Sequence, residues 1–492
     1  MKILKIALAI SLFTMISCEN WLDVSSTSQL DRNDMFQTEN GYGEALTGVY
    51  AKLCDKSLYG RTLTFDVLDI MASYYPDMYF DHSYWWDYSY ANLDDQYAVS
   101  YCSSTIEAVW TNLYAQIANL NSLLENIDNN QDVFSGDNYR LIKGEALGLR
   151  AYLHFDLLRL FANAWDIGKD KKSIPYVTEL TPLVTPVYTQ EKTIELILAD
   201  LDSAKNLLTE DPMRLGTTPA SCLASLPSGS NLSANNIEPW HNRRFHFNYY
   251  AAIATMARVY MWKGDQANAL KSALEIISEQ ETKFPWVLTK NLTHIDNANY
   301  SNQDRSFATE HIFALNITDI EKCMDGYIFN GEVSTSLSSE TRLEITTQTR
   351  SEIYEGISSD LRYQYWFKAF NTNWFVSKFY QSSVTSRYFQ ERLPLIRLSE
   401  MYYIAAECST GNGLDYLETV RSHRGLSSYS LPSNCDQEEE IRKEYCKEFL
   451  GEGQLWYYYK RKSYMDFNYY MTNIEFFTWE IPDLEVSNAG RE

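Results

Sequence analysis

Two apolar-periodic stretches separated only by Lys263-Gly264-Asp265 constrain this chain more than any other feature. The first, over residues 245–263, repeats Phe245, Tyr249, Ala252, Met256 and Val259; the second starts at once, with Ala269, Ala273 or Leu270, Leu274 and Ile277 on its inner face. Spacings of three and four place such residues on one stripe of an α-helix. Alanines at 251, 252, 254, 257, 267, 269 and 273 let the two helices approach closely. That is the pattern of a tetratricopeptide-like helical hairpin.

The same period recurs along the chain. Residues 105–127 carry Ile106, Val109, Leu113, Ile117, Leu120 and Leu124, and residues 138–163 carry Ile142, Ala146, Leu149, Leu153, Leu157 and Leu160. A further pair is expected over 393–408 and 412–424, turned at Gly411-Asn412-Gly413, and 436–450 reads as another helix. The expected fold class is therefore all-α, a superhelix of helical pairs with a loop-rich irregular region that carries the ligand face. Residues 211–243 are rich in Ser, Thr, Asn, Pro and Gly and read as a loop insertion, while 281–391 mix short β-branched or aromatic runs with polar turns. The expected division is an N-terminal part 18–210, the insertion 211–243, a central hairpin 244–280, an irregular segment 281–391 and C-terminal helices 392–492.

The first residues stand apart from this plan. Lys2 and Lys5 precede an apolar run from Ile6 to Ile16, too short to span a bilayer and arranged like a secretory signal. It ends in Ser17-Cys18, which resembles a bacterial lipobox. Residues 1–17 are expected to be a cleaved signal peptide, with Cys18 lipidated and the mature protein tethered by that lipid.

Charge excludes some partners. The formal net charge is −23, and −25 once Lys2 and Lys5 are removed. Phosphate backbones need clustered Lys and Arg, so nucleic acid is not an expected ligand. Attraction to an anionic membrane surface is disfavoured on the same ground. Among seven cysteines after Cys18 there is no CxxC pair, and the seven histidines show no HExxH spacing, so neither a metal site nor a cofactor is expected. No GxSxG elbow occurs. No catalytic residue is assigned, and the protein is not expected to be an enzyme.

The chemistry that does stand out is aromatic. Residues 74–97 hold ten aromatic rings, with Met78, Ala91 and Leu93 as the sole aliphatic residues, and follow neither helix nor strand period. A sugar presents an apolar C–H face and a polar rim, which rings and neighbouring carboxylates or amides can hold together. Tyr84, Trp85, Trp86, Asp87 and Tyr88 supply these groups side by side. Trp286, Tyr300 and Trp374 are further ligand candidates, with Tyr327 and Trp366 beside them in the irregular segment. Peptides with apolar side chains fit the same rings.

Several blocks then become familiar. Cys18-Glu19-Asn20-Trp21-Leu22-Asp23, GEALGLRAYLHFDLLRLFANA at 144–164, NYYAAIATMARVYMWKGDQANALKSALEII at 248–277, RLPLIRLSEMYYIAAE at 392–407, VRSHRG at 420–425 and EYCKEFLGEGQLWYYYKR at 444–461 occur in order. Together they resemble the SusD/RagB family of outer-membrane nutrient-binding lipoproteins of Bacteroidetes. The resemblance implies a tetratricopeptide-like superhelix that captures an oligosaccharide at the cell surface. It also implies a partner, a SusC-like TonB-dependent transporter over which the lipoprotein sits as a lid. The RagB side of the family implies peptide or another nutrient as alternative cargo. A surface glycoside hydrolase and a helical-repeat scaffold are the remaining alternatives.

Overall fold

The computed structural model describes residues 34–75, 84–85, 96–215, 243–292, 294–295, 303–331, 342–381, 389–465 and 477–489. The N-terminal half opens with α1 (Glu39–Leu53), α2 (Val67–Met71), α3 (Gln96–Ile127) and α4 (Asn138–Phe161). A two-stranded antiparallel pair, β1 (Lys172–Pro175) and β2 (Val187–Thr189), leads into α5 (Gln190–Leu207). The central hairpin is α6 (Tyr249–Trp262) and α7 (Gln266–Ile277). The irregular segment contributes β3 (His311–Asn316), β4 (Glu344–Thr346), α8 (Thr347–Ile353), β5 (Phe367–Phe370) and β6 (Asn373–Val376). The chain ends with β7 (Arg392–Arg397), α9 (Leu398–Cys408), α10 (Gly413–His423), α11 (Gln437–Glu448), α12 (Gln454–Lys462) and α13 (Asp483–Ala489).

Local chemistry sets these boundaries. Asn248 caps α6, its side-chain oxygen accepting from the backbone N–H of Tyr250 and Ala251 at 2.9 and 3.0 Å. Gly264 takes φ +73° at the hairpin turn, a conformation that disfavours residues with a Cβ. Asp265 then caps α7 by accepting from Asn268 N–H at 3.2 Å. Gly148 marks another close approach, since a Cβ there would lie 2.2 Å from a ring carbon of Phe247.

Packing runs from neighbour to neighbour: α3 against α1 and α4, α4 against α5, α6 against α7, and α9 against both α7 and α10. The small sheets lie beside this stack, β3 with β7 and β4-β6-β5 in that order, all antiparallel. The fold is mainly α, as the periodicity predicts, with one difference in the C-terminal block. The helix expected from residue 393 begins only at Leu398, and Arg392–Arg397 is a strand buried along its whole length. Pro394 disfavours a helix interior there, and a strand covered on both faces reads as a continuous apolar run with no alternation.

Charged residues tie the layers together. Arg258 on α6 makes a bidentate pair with Glu400 on α9 at 2.6 Å, and Arg150 on α4 does the same with Asp200 on α5 at 2.8 and 2.9 Å. At the C-terminal end Glu448 receives Arg362, Arg397 and Arg424, all without solvent exposure. Burial works to raise the Glu448 carboxyl, but the three guanidinium groups override it and hold it well below the ordinary carboxylate range. A carboxylate depressed in this way stabilises the fold above its unfolded pKa, about 4.3, and loses that contribution as pH falls. Glu448→Gln is expected to cost about 3–5 kcal/mol in urea denaturation at neutral pH, because it leaves buried guanidinium charge uncompensated. The difference between variant and parent should shrink as the pH is lowered.

Candidate functional site

The aromatic segment begins and ends inside the scaffold. Tyr74 and Tyr75 are buried beyond α2, and Trp85 is 1% exposed, stacked on Trp479 with ring centres 6.1 Å apart. Trp479 meets Phe161 edge-on at 5.8 Å and Trp456 at 6.2 Å, so Trp85 belongs to an aromatic wall in the core. The expectation of a solvent-facing ring at 85 is corrected on this point. A tryptophan buries more apolar surface than most side chains, and here a partner from the far C-terminus covers it. Tyr84 stays half-buried, against Tyr101 of α3 at 5.5 Å. Trp86, Asp87, Tyr88 and Tyr300 lie outside the described residues.

The secondary candidates separate as well. Trp286 is 7% exposed, stacked on His423 at 4.6 Å and tilted against Tyr402, which places it in the helical core. Trp366 is fully buried and donates to the backbone oxygen of Arg305 at 2.6 Å. Trp374 on β6 remains half-buried, its indole N–H donating to Thr347 Oγ1 at 3.0 Å. The Arg350 guanidinium lies 3.7 Å from the Trp374 ring centre and 3.6 Å from that of Tyr363, a cation–π arrangement. Tyr327 is half-buried under Arg61, 4.2 Å away.

A cleft of about 480 Å³ opens next to the wall that holds Trp85. Glu107, Trp110, Thr111 and Tyr114 project from one face of α3, because residues three and four apart share a helix face. The connection between β1 and β2 forms the second side through Pro182, Leu183, Val184 and Thr185, and Pro482, Leu484 and Glu485 at the start of α13 form the third. Trp110 packs on Phe161 at 4.8 Å and on Tyr114 at 4.7 Å, so the cleft floor continues the aromatic wall through Phe161 to Trp479. The Tyr114 hydroxyl donates to the Pro175 carbonyl at 2.9 Å, fixing its ring. Leu183, Val184 and Leu484 form an apolar rim, 77%, 55% and 58% exposed. Sequence periodicity passes over Trp110 and Tyr114 because the stripe Ile106, Val109, Leu113, Ile117 accounts for the buried side of α3, and the two rings lie along its edge. The signal available was a pair of rings at the edge of that stripe, next to Glu107 and Thr111.

A second cleft, about 730 Å³, lies between the end of α1 and the end of β3, with Tyr50, Cys54, Lys56, His246, Lys322 and Cys323 among its walls. Burial, reinforced by Cys323, pushes the Cys54 thiol up to about 12, which keeps it protonated at neutral pH. Glu145 beneath it is held at about 2: burial opposes ionisation, but His246 and Arg243 outweigh it. This cleft is charged and thiol-bearing, with few rings available for stacking. Among the described residues no group of three His, Cys, Asp or Glu is placed to hold a metal ion. No described helix is long and apolar enough to cross a membrane.

Two family profiles match adjacent parts of the chain. Residues 20–228 match a SusD-like family described as starch-binding and associating with the outer membrane, and residues 254–492 match the SusD family itself. The chain belongs to the SusD family. No curated protein shows significant sequence similarity to it. Solved structures share its fold at low identity. A SusD superfamily protein from Bacteroides thetaiotaomicron aligns with TM-score 0.68 at 18% identity, over 93% of this chain and 98% of its own. A SusD-like carbohydrate binding protein from Bacteroides vulgatus aligns with TM-score 0.65 at 15% identity, over 92% and 97%. Surface glycan-binding protein A from Bacteroides thetaiotaomicron, in complex with laminarihexaose, aligns with TM-score 0.62 at 16% identity, over 92% and 98%.

Burial separates Trp85 from the half-exposed rings of this SusD-family fold. Trp85→Ala is expected to destabilise the protein by about 3–5 kcal/mol, through lost burial and an unfilled cavity. Trp374→Ala should cost clearly less. Thermal denaturation of the two variants side by side checks the ordering.

Proposed function

We propose that this protein is a non-catalytic surface lipoprotein that captures oligosaccharides and passes them to a SusC-like TonB-dependent transporter in the outer membrane. The observation that carries the proposal is the cleft floored by Trp110 and Tyr114, on a scaffold of the SusD family. A ring with a fixed plane offers the apolar face of a sugar its best contact, and Thr111, Thr185, Glu107 and Glu485 can bond its hydroxyl rim. Tyr84, at the foot of the aromatic segment, packs on Tyr101, six residues before Glu107 and therefore about 9 Å along α3. The bound laminarihexaose of a structural neighbour supports a glycan as the cargo class.

One feature favours a second reading. The rim of Leu183, Val184 and Leu484 suits an apolar peptide side chain as well as it does a sugar face. Calorimetric titration of the mature protein with oligosaccharides and with short apolar peptides separates the two. Binding of oligosaccharides, recovered uncleaved afterwards, is the expected result; binding of peptides alone would reassign the cargo, and cleavage would make the protein an enzyme. Tyr114→Ala should weaken oligosaccharide binding by about 1–3 kcal/mol, as loss of an aromatic contact commonly does, while helical circular dichroism is retained.

Anchoring and partnership share one experiment. Lys2, Lys5 and the run before Cys18 support export and lipidation at Cys18. Mild detergent extraction of native membranes is expected to yield the protein together with a large β-barrel transporter. Cys18→Ala should move the folded protein out of the membrane fraction. Retention of that variant in the membrane, or recovery of the parent only as a free monomer, would contradict the respective half of the proposal.

A further inference from the structure

The three segments that wall the cleft all lie in stretches free of Lys and Arg. Between Arg61 and Arg140 there are 78 residues with no Lys or Arg and twelve Asp or Glu. The wall between β1 and β2 lies within residues 173–191, again without Lys or Arg, and the C-terminal wall lies within 463–490, without either and with five acids. Over the whole chain Lys or Arg occurs about once in twelve residues. The fold brings these three base-free stretches to one place. The lining residues there include Glu107 and Glu485 and no Lys or Arg.

An anionic sugar entering such a cleft meets only like charge. Carboxylate and sulfate groups are bound through guanidinium or ammonium partners, and the walls supply none. The cleft's concave, partly apolar walls focus the field of its carboxylates rather than letting water dissipate it. An uncharged sugar is indifferent to that field and can still stack on Tyr114, held against the buried Trp110, while its hydroxyls donate to Glu107 and Glu485.

We propose that the cleft takes uncharged oligosaccharides and rejects those bearing uronate or sulfate groups. The proposal rests on the reading of this cleft as the sugar site. It is tested by calorimetry on the mature protein with a panel of neutral hexasaccharides and with oligogalacturonates of equal length, at low and at high NaCl. At least one neutral member should bind, with the uronates at least tenfold weaker at low salt. The gap should narrow as salt shortens the Debye length, about 10 Å at 0.1 M and 3 Å at 1 M. The double variant Glu107→Gln, Glu485→Gln should narrow it at low salt as well. Uronates binding as tightly as the best neutral sugar, or a gap that neither salt nor the double variant moves, would overturn charge exclusion and leave the cleft as the sugar site. Failure of every sugar to bind, or neutral binding untouched by Tyr114→Ala, would overturn the site itself together with the inference.

Discussion

Glu448 sits where four parts of the chain meet. Its carboxylate accepts from Arg362 at 2.9 Å, from Arg397 at 2.5 Å and from Arg424 at 2.7 and 3.1 Å, and Arg424 reaches on to Glu310 at 2.6 and 2.9 Å. Arg362 also holds Asp360 and Glu444, while Arg397 holds Glu452, which in turn receives Lys378. The network therefore joins the segments before β3 and β5, strand β7, and helix α11. Asp69 of α2 extends the connection to the N-terminal half by accepting from the backbone N–H of Gly451 and Gly453 at 2.6 and 3.1 Å. Both glycines take positive φ, +87° and +67°, and a Cβ at Gly453 would lie 2.5 Å from the Leu63 oxygen. Ionic groups so deeply buried repay their desolvation only when every lone pair finds a donor. That requirement fixes the relative placement of these segments more narrowly than apolar packing alone would.

The abundance of tyrosine finds its reason in the same economy of buried charge. Composition suggests a surplus of amphipathic rings for ligand faces, yet many of the 37 tyrosines are interior. Tyr59 donates to Asp156 at 2.5 Å, Tyr50 to Glu145 at 2.6 Å and Tyr176 to Asp200 at 2.6 Å. Tyr457 lies under Arg159, 3.7 Å from its guanidinium carbon. A phenol offers a large apolar body together with a donor for a buried carboxylate, which an aliphatic residue cannot do. Ring content alone thus says little about ligand binding in this chain; exposure decides.

What the sequence made legible follows from how local each signal is. The hairpin of α6 and α7 is readable because its period, its glycine turn and its Asp265 cap all lie within thirty residues. Arg150, Arg397, Glu400, Glu407, Arg421 and Arg424 lie on segments of helical period and read as scaffold, and the structure pairs each of them with an opposite charge. Strand β7 misleads because Leu393-Pro394-Leu395-Ile396 is apolar on both faces and joins directly to a helix. Trp85 misleads for a different reason. Its covering partner Trp479 is nearly four hundred residues away, and nothing near Trp85 announces it. The cleft is assembled from α3, the β1–β2 connection and α13, so its floor could not be recognised before those segments were placed.

The interior also shapes the exterior. At least fifteen Lys and Arg side chains are buried among the described residues, out of 42 in the chain, together with at least thirteen Asp and Glu out of 65. The fold thus uses more than a third of its bases inside and about a fifth of its acids. Outside this buried set close to two acids remain for every base. A surface of that kind keeps molecules apart and discourages contact with anionic membranes and polymers. The bases are absent from the stretches around α3 and α13, and the lining of the cleft carries Glu107 and Glu485 with no Lys or Arg. The guanidinium groups that lock the segments together, Arg362, Arg397 and Arg424 among them, all come from outside the stretches that wall the cleft, so the ionic core and the acidic cleft draw on separate parts of the chain.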